Sequence, residues 1–197
     1  IDPSYRFLCV NFALLAAAMA QFVVPLTLYA TAFLGLADSH VGLLLSLNAL
    51  FVVAAQVPSI RLFQGVRLTV VAGVGALVYA LGFAGVGFAG GLLGLACAVG
   101  VLSLGDILVP PAVQALAANM APERAQGRYQ GAFGLSHQLG SAVGPSAGLA
   151  ALAFAQERGL PGHWFAVAAL ASCAALGFFA LGRRLLPDEE GLLEEAF

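Results

Sequence analysis

An acidic residue in the middle of an apolar run carries the clearest chemistry in this sequence. The stretch LSLGDILVPPAVQ, residues 102–114, places Asp106 shortly before Pro110 and Pro111. A charged carboxylate is costly to bury in lipid, and such residues usually face a cavity through which protons or substrates pass. Burial away from water favours the neutral acid, so Asp106 could take up and release a proton when a cavity opens.

The residues around Asp106 form one polar stripe if this run is helical. At about 100° per residue, Ser103, Asp106, Pro110 and Gln114 fall within an arc of roughly 80°. Pro110 has no N–H and leaves the carbonyl of Asp106 without its helical partner, and Pro111 acts likewise one residue further on. Two roles for Asp106 follow. It carries protons or substrate, or it stays protonated and pins a kinked helix to a neighbour by hydrogen bonding.

The fifth apolar run contains a second pattern. Ser136, Gly140, Gly144 and Gly148 recur every four residues, which would give a helix a surface free of bulky side chains. Such a surface lets another helix approach closely, and Pro145 beside it can bend the run. We expect this ridge to be a packing seam that also serves as a sliding contact.

Other polar side chains inside the apolar runs are candidates for lining a cavity. His137, one turn from Ser141, either hydrogen-bonds across helices as a packing partner or relays protons. The cavity-lining candidates are Asn11, Gln21, Asn48, Gln56, Gln114 and His137.

The remaining motifs argue against an enzyme, a metal site and a cofactor. The three cysteines lie far apart in apolar runs, which indicates neither disulfides nor a metal site. GVGFAG, residues 85–90, ends an apolar run instead of joining a strand to a helix, as a dinucleotide motif would. GLSH, residues 134–137, resembles the serine motif of rhomboid proteases, but it lacks the following glycine, and the last run has no histidine to act as base. We predict no catalytic residues, no metal and no cofactor.

The composition indicates which elements must hold these residues. Of 197 residues, 61% are hydrophobic and only 9% are charged, with a formal net charge of -2. Soluble domains carry about 25% charged residues, so this is a membrane protein, and a nucleic-acid-binding surface is excluded. Open backbone groups cannot be satisfied in lipid, and no run alternates as a barrel strand would, so the spans must be helices. Six spans are predicted, at about 6–34, 41–60, 68–88, 92–118, 129–155 and 164–181.

The arginines predict the orientation of the spans. All eight basic residues are arginines, and all but Arg158 lie at span ends that a six-helix bundle places on one side. By the positive-inside rule this side is cytoplasmic. Both termini are then cytoplasmic, as are the turns that contain Arg61, Arg67, Arg124 and Arg128.

Polar residues are unevenly distributed among the spans. The third span has little besides Thr69 and Tyr79, and the sixth little besides Ser172 and Cys173, whereas the other four have several each. This pattern predicts two three-helix repeats of inverted topology, in each of which two helices face a polar interior and one faces lipid. Chance unevenness is the alternative. Residues 1–187 would form the bundle, and 188–197 an acidic cytoplasmic tail.

The longest motif-bearing stretch resembles a known transporter family. GDILVPPAVQALAANMAPERAQGRYQGAFGLSHQLGSAVGPSAG, residues 105–148, is similar to the tenth and eleventh helices of major facilitator superfamily transporters, especially drug:proton antiporter-like members. Within it, APERAQGRYQG resembles their cytoplasmic turn, and GSAVGPSAG the repeat-related counterpart of the antiporter motif. QVPSIRLFQGVR, residues 56–67, resembles the turn after the eighth helix, but lacks the Asp that family members often carry there.

This resemblance covers the whole chain and implies what it does. The chain would be the C-terminal half of a twelve-helix transporter, and its start at Ile1 instead of Met agrees with that expectation. Its partners would be an N-terminal six-helix half, the lipid bilayer, a small-molecule substrate and protons. We expect proton-coupled efflux of drugs or metabolites across a bacterial cytoplasmic (inner) membrane. The alternatives are a sugar or nutrient symporter and, in another class, a non-transporting six-helix scaffold or intramembrane enzyme.

Overall fold

The described chain is a bundle of membrane-length helices. The computed structural model describes residues 2–62, 65–157 and 162–192, with side chains for all of these except 57, 59–62 and 155–157. The first span consists of α1 (Pro3–Met19), a turn over residues 20–23, α2 (Val24–Leu28) and a π-helical turn (Tyr29–Phe33). The remaining helices are α3 (Asp38–Leu62), α4 (Leu68–Phe88), α5 (Leu92–Asn119), α6 (Gln126–Glu157) and α7 (His163–Gly182).

Five helical segments of the described chain are long and apolar enough to cross a membrane. They are Pro3–Phe33, Asp38–Gln56 within α3, and α4, α5 and α7. The sixth, α6, has 32 residues and is about 48 Å long at 1.5 Å per residue, but it is more polar because of residues such as Arg128, His137 and Gln138. It runs alongside α1. The predicted all-helical membrane fold is confirmed, and strands are absent from the ranges given above.

Helix packing follows the inverted-repeat pattern. The first triplet contains α1 with α2, then α3 and α4, and the second contains α5, α6 and α7. The main contacts of α1 are with α6 and α7, and those of α5 are with α3 and α4, while α4 and α7 also pack on each other. Exchanging the triplets converts the two contacts of α1 into the two contacts of α5 and leaves the contact between α4 and α7 unchanged. The first helix of each triplet therefore packs on the second and third helices of the other.

Glycines allow the closest of these contacts. A Cβ atom at Gly82 of α4 would lie 2.6 Å from the Leu102 side chain and 3.1 Å from the Leu102 backbone nitrogen of α5. At Gly105 of α5, a Cβ would lie 2.9 Å from the ring of Tyr79. Dispersion contacts between such closely packed helices stabilise the bundle, because lipid supplies no hydrophobic driving force.

The third helix of each triplet, predicted to face lipid, packs on other helices along one side and is exposed along another. Half or more of the apolar stretch of α4 and α7 is buried inside the bundle (56% and 50%), against only 6% for α3. On α4, small residues face α5 and α7, and one outward stripe stays exposed, formed by Val70, Val74, Leu77 and Leu81. Hydropathy alone does not separate a helix that packs on protein from one that faces lipid.

The span formed by α1 and α2, which was predicted as one continuous run over 6–34, is broken in its middle. Pro25 has no N–H, and the carbonyl of Gln21 accepts instead from the N–H of Leu26 at 3.1 Å. The chain turns at residues 20–23, and Gln21 there is 4% exposed. The break brings a buried amide side chain to the face of α1 that meets α6.

The segment after α7 folds back onto the bundle through Glu190. This side chain is fully buried; its Oε2 accepts from the backbone N–H of Thr69 at 2.9 Å, and its Oε1 from the Thr69 hydroxyl at 2.6 Å and Arg67 Nη2 at 3.1 Å. Arg67 precedes α4, and its own side chain does not cap that helix. Glu190 is therefore an N-cap supplied from 121 residues away, and a segment predicted as a separate acidic tail is, over its described residues 188–192, part of the fold.

Contacts gather the arginine-bearing helix ends at one end of the bundle. Tyr5 donates its hydroxyl hydrogen to the carbonyl of Tyr129 at 2.8 Å, which joins the starts of α1 and α6. The Arg184 guanidinium lies 5.8 Å from the Phe7 ring centroid, and Arg67 donates to the carbonyl of Gly182. Side-chain positions for Arg61 and any placement of Arg158 lie outside the described residues. The cytoplasmic assignment of this end stays a prediction.

Candidate functional site

Asp106 lies in a polar cluster built from three helices. Its Oδ1 accepts from the hydroxyl of Tyr79 on α4, and its Oδ2 from the amide Nδ2 of Asn48 on α3 at 3.3 Å. The same Asn48 nitrogen donates to the hydroxyl oxygen of Ser103 at 2.7 Å, and Ser103 donates to the carbonyl of Val99 at 2.8 Å. We call Asn48, Tyr79, Ser103 and Asp106 the Asp106 cluster.

Local sequence explains how the cluster forms. Ser103 and Asp106 are three residues apart on α5 and therefore share a face. Gly105 between them has no side chain, which lets the Tyr79 ring lie against the α5 backbone. Tyr79 is 1% exposed, and Ser103 is also buried. A buried hydroxyl needs a partner, and the carboxyl group supplies it.

The chemistry available to the cluster is that of one acid among neutral donors. An ionised carboxylate accepts hydrogen bonds only, while a protonated one can also donate. Tyr79 and Asn48 occupy one oxygen each and bring no positive charge. The arrangement is suited to binding and releasing a proton or another cation. Within the described chain, no group of three or more His, Cys, Asp or Glu residues could hold a metal ion.

The rest of the predicted stripe on α5 does not join the cluster. Gln114 is exposed, two turns beyond Asp106. Pro110 and Pro111 lie inside α5, which continues to Asn119 without interruption. Of the candidates for lining a cavity, Asn48 alone contacts Asp106 in the described structure.

Two further candidates lie between helices. Asn11 on α1 is buried and donates from Nδ2 to the carbonyl of Ala174 on α7 at 3.0 Å. Gln21 donates from Nε2 to the carbonyls of Gly144, at 2.6 Å, and Ala17, at 3.1 Å. Among the residues that the structure describes, its buried Oε1 has no hydrogen-bond partner, and it faces Gly148. In this chain both amides bridge packed helices, and their lining of a transport cavity stays a prediction.

The glycine ridge of α6 lies against α1. Gly140, Gly144 and Gly148 are buried there, and a Cβ at Gly144 would lie 3.0 Å from both the Cα of Ala17 and the Cβ of Ala20. Pro145 lies inside the continuous helix α6. The ridge is a close packing seam, and its sliding role stays a prediction.

The last two candidates lie apart from the cluster. His137 is exposed on α6, and its ring stacks on Phe12 with centroids 5.5 Å apart. Gln56 is half-buried on α3.

At the turn before α6, Arg124 and Arg128 line an open cavity of about 550 Å³.

Tyr79 is a member of the Asp106 cluster that was not among the predicted site residues. Its signal was weak, because one hydroxyl at the end of an aromatic ring hardly changes the apolar character of a span. A tyrosine in the middle of a membrane helix does, however, need a hydrogen-bond partner when buried. That requirement is the clue that could have linked it to the single acid of the neighbouring span.

Six helices in two inverted triplets, with an acid on α5 that accepts hydrogen bonds from α3 and α4, are an arrangement typical of secondary transporters. The family model of the Major Facilitator Superfamily matches residues 6–195, so the chain belongs to that superfamily. It is therefore an integral membrane protein of a family whose members are transporters and not enzymes. A comparison with curated proteins gave no match.

Proposed function

We propose that this chain is the C-terminal six-helix half of a proton-coupled transporter that exports small molecules such as drugs or metabolites. Transport would proceed by alternating access, with two halves rocking around a site near the bilayer midplane. The observation that carries this proposal is the Asp106 cluster. Asp106 would be the group that binds and releases the coupling proton.

The position of Asp106 supports this role. It lies near the middle of the 28-residue helix α5, where a bilayer is least tolerant of charge. No basic group of the described chain pairs with it, and it accepts hydrogen bonds from neutral donors on α3 and α4. An unpaired carboxylate at this depth must gain a positive charge to become neutral. A proton is the smallest such charge, and a cationic substrate could compete for the same oxygens.

The exposed faces of α3 and α6 support a partner half. These are the second helices of the two triplets, and they are related by the inverted repeat. Large apolar side chains on both remain uncovered, namely Leu43, Leu47, Leu50, Leu135, Leu139 and Val143. We propose that an N-terminal six-helix half of the same transporter covers them. The proposed location is a bacterial inner membrane, with both termini in the cytoplasm.

The test is transport by the full-length protein in vesicles. An imposed proton gradient should drive the movement of cationic dyes, and Asp106→Asn should remove this coupling because the amide cannot exchange a proton. Asp38→Asn is the matched control, since Asp38 is an exposed acid at the start of α3. Fully coupled transport by Asp106→Asn would refute the proton role. Gradient-driven uptake of sugars instead of dye efflux would favour the symporter alternative.

A further inference from the structure

The two helix pairs that the inverted repeat relates, α1 with α6 and α5 with α3, differ in how firmly they are joined. The contact of α1 with α6 extends along most of both helices. It begins with the rings of Tyr5 and Tyr129, whose centroids are 4.6 Å apart, and continues through Phe12 and Phe133 at 4.8 Å. It ends where the Gln21 amide donates to the Gly144 carbonyl. Sliding of α6 along α1 would break all of these contacts.

The contact of α3 with α5 is much smaller. Only 6% of the apolar stretch of α3 is buried, and α5 is its main neighbour. Asn48 provides two hydrogen bonds across this contact, to Ser103 and to Asp106. Ser46, two residues earlier, bonds within its own helix, to the carbonyl of Gly42, and to no other helix among the described residues. A change at Asp106 therefore acts directly on a helix that has little other packing within this six-helix half.

We propose that α3 is the mobile helix of this domain and that Asn48 positions it according to the charge on Asp106. This inference rests on the proposed function. With Asp106 ionised, Asn48 donates a charge-assisted hydrogen bond, which is roughly twice as strong as a neutral one. A proton added to the carboxylate removes that assistance, so α3 is held less tightly to α5. The seam between α1 and α6 stays closed through this change.

The groups that face Asp106 determine which hydrogen bonds change when it takes up a proton. From α4, Tyr79 donates its hydroxyl hydrogen and is the titratable group in contact with Asp106 among the described residues. From α3 the facing group is the Asn48 amide, which does not titrate. Ser103 on α5 holds the same amide through a neutral bond. Proton uptake thus changes one bond of Asn48 and leaves the other in place.

The test measures helix separations in the full-length protein by pulsed electron paramagnetic resonance in lipid nanodiscs. Spin labels at Val53 of α3 and Leu104 of α5 report the proposed motion, and labels at Val10 of α1 and Gln138 of α6 report the closed seam. These four side chains are exposed and lie outside the set that the N-terminal half is proposed to cover. The native cysteines at positions 9, 97 and 173 are first replaced by serine.

The variants isolate the proposed link. In the parent protein, acidification should shift the mean α3–α5 distance by about 1–2 Å, the size of a small helix shift. Asp106→Asn should show the low-pH distance at every pH, and Asn48→Ala should lose the pH response. Ser46→Ala is the matched control on α3 and should behave like the parent. Ser103→Ala keeps the Asp106 bond and should keep a pH response, which guards against a merely structural loss in Asn48→Ala.

A parent α3–α5 distance that does not change with pH would overturn the inference. So would a normal pH response in Asn48→Ala, or a larger shift of the α1–α6 pair than of the α3–α5 pair. Transport by the same variants tests the proposed function separately. If Asp106→Asn still couples transport to protons, the proposed function fails, whereas the link between Asn48 and Asp106 is judged from the distances alone.

Discussion

The buried carboxylate of Glu190 offers the sharpest test of how the bundle is held together. Glu190→Ala removes the acceptor for the Thr69 N–H and the Thr69 hydroxyl at the start of α4. It also removes a negative charge from a helix N-terminus, where such a charge is favourable by about 1 kcal/mol. We expect the free energy of unfolding to fall by about 3 kcal/mol, because the buried N–H and hydroxyl of Thr69 both lose their acceptor and the favourable charge at the helix N-terminus is lost.

The ion pair itself contributes little to this figure. The Arg67 side chain is 43% exposed, so solvent screens its attraction to Glu190, and exposed pairs contribute about 1 kcal/mol or less. Arg67→Gln should therefore cost much less than Glu190→Ala. Glu189→Ala is the matched control, because the Glu189 side chain accepts from the nearby N–H of Leu186 at an exposed site. A change of about 0.5 kcal/mol or less is expected there.

Unfolding can be followed in mixed micelles by titration with a denaturing detergent. The single tryptophan, Trp164, is 2% exposed, and its fluorescence should change when the bundle opens. Far-ultraviolet circular dichroism gives an independent midpoint. Equal destabilisation by Glu190→Ala and Glu189→Ala would refute the reasoning, since it would mean that the buried cap contributes nothing beyond an ordinary surface residue.

Further predictions concern the seam and the cluster. Gly144→Ala should destabilise the fold by about 2 kcal/mol in the same titration, because its Cβ would meet the α1 backbone. Gly134→Ala is the control; this position has open space around it, so the change should be neutral or slightly stabilising. Equal effects of the two variants would contradict the close seam. Tyr79→Phe should weaken proton-coupled transport while leaving helix content unchanged, as vesicle assays and circular dichroism would measure, because it removes one donor to Asp106. Unchanged coupling in Tyr79→Phe would mean that Asp106 works without its α4 partner.

Much of the fold could be predicted from the sequence because lipid restricts the backbone so strongly. Long apolar runs have to be helices, and the polar turns between them set the boundaries to within a few residues. The start of α4 at Leu68 and its end at Phe88 agree with the predicted span. The break at residues 20–23 was not predicted, although Pro25 was its signal.

Less of the candidate site could be predicted, because packing partners are set by shape as much as by polarity. Asp106 was identified by its cost in lipid, and Asn48 by its polarity, but nothing in their spacing indicated that they meet. Asn11 and Gln21 look equally suited to a cavity in the sequence, yet each bridges two helices. Glu190 was assigned to the acidic cytoplasmic tail. Its bonds to Thr69 form because the segment after α7 folds back onto the start of α4, a contact that no pattern in the sequence indicated.

The exchange of contacts between the triplets has a consequence for biogenesis. When the first three spans enter the membrane during translation, α1 still lacks its main neighbours, since Gln21 and Gly144 are 123 residues apart. Its buried amides must meanwhile find water, lipid headgroups or an insertase. Glu190 can cap α4 only after α7 and the segment that follows it have left the ribosome. Assembly of this domain is thus largely post-insertional, and variants that weaken late contacts should be most exposed to membrane quality-control proteases before the cap forms.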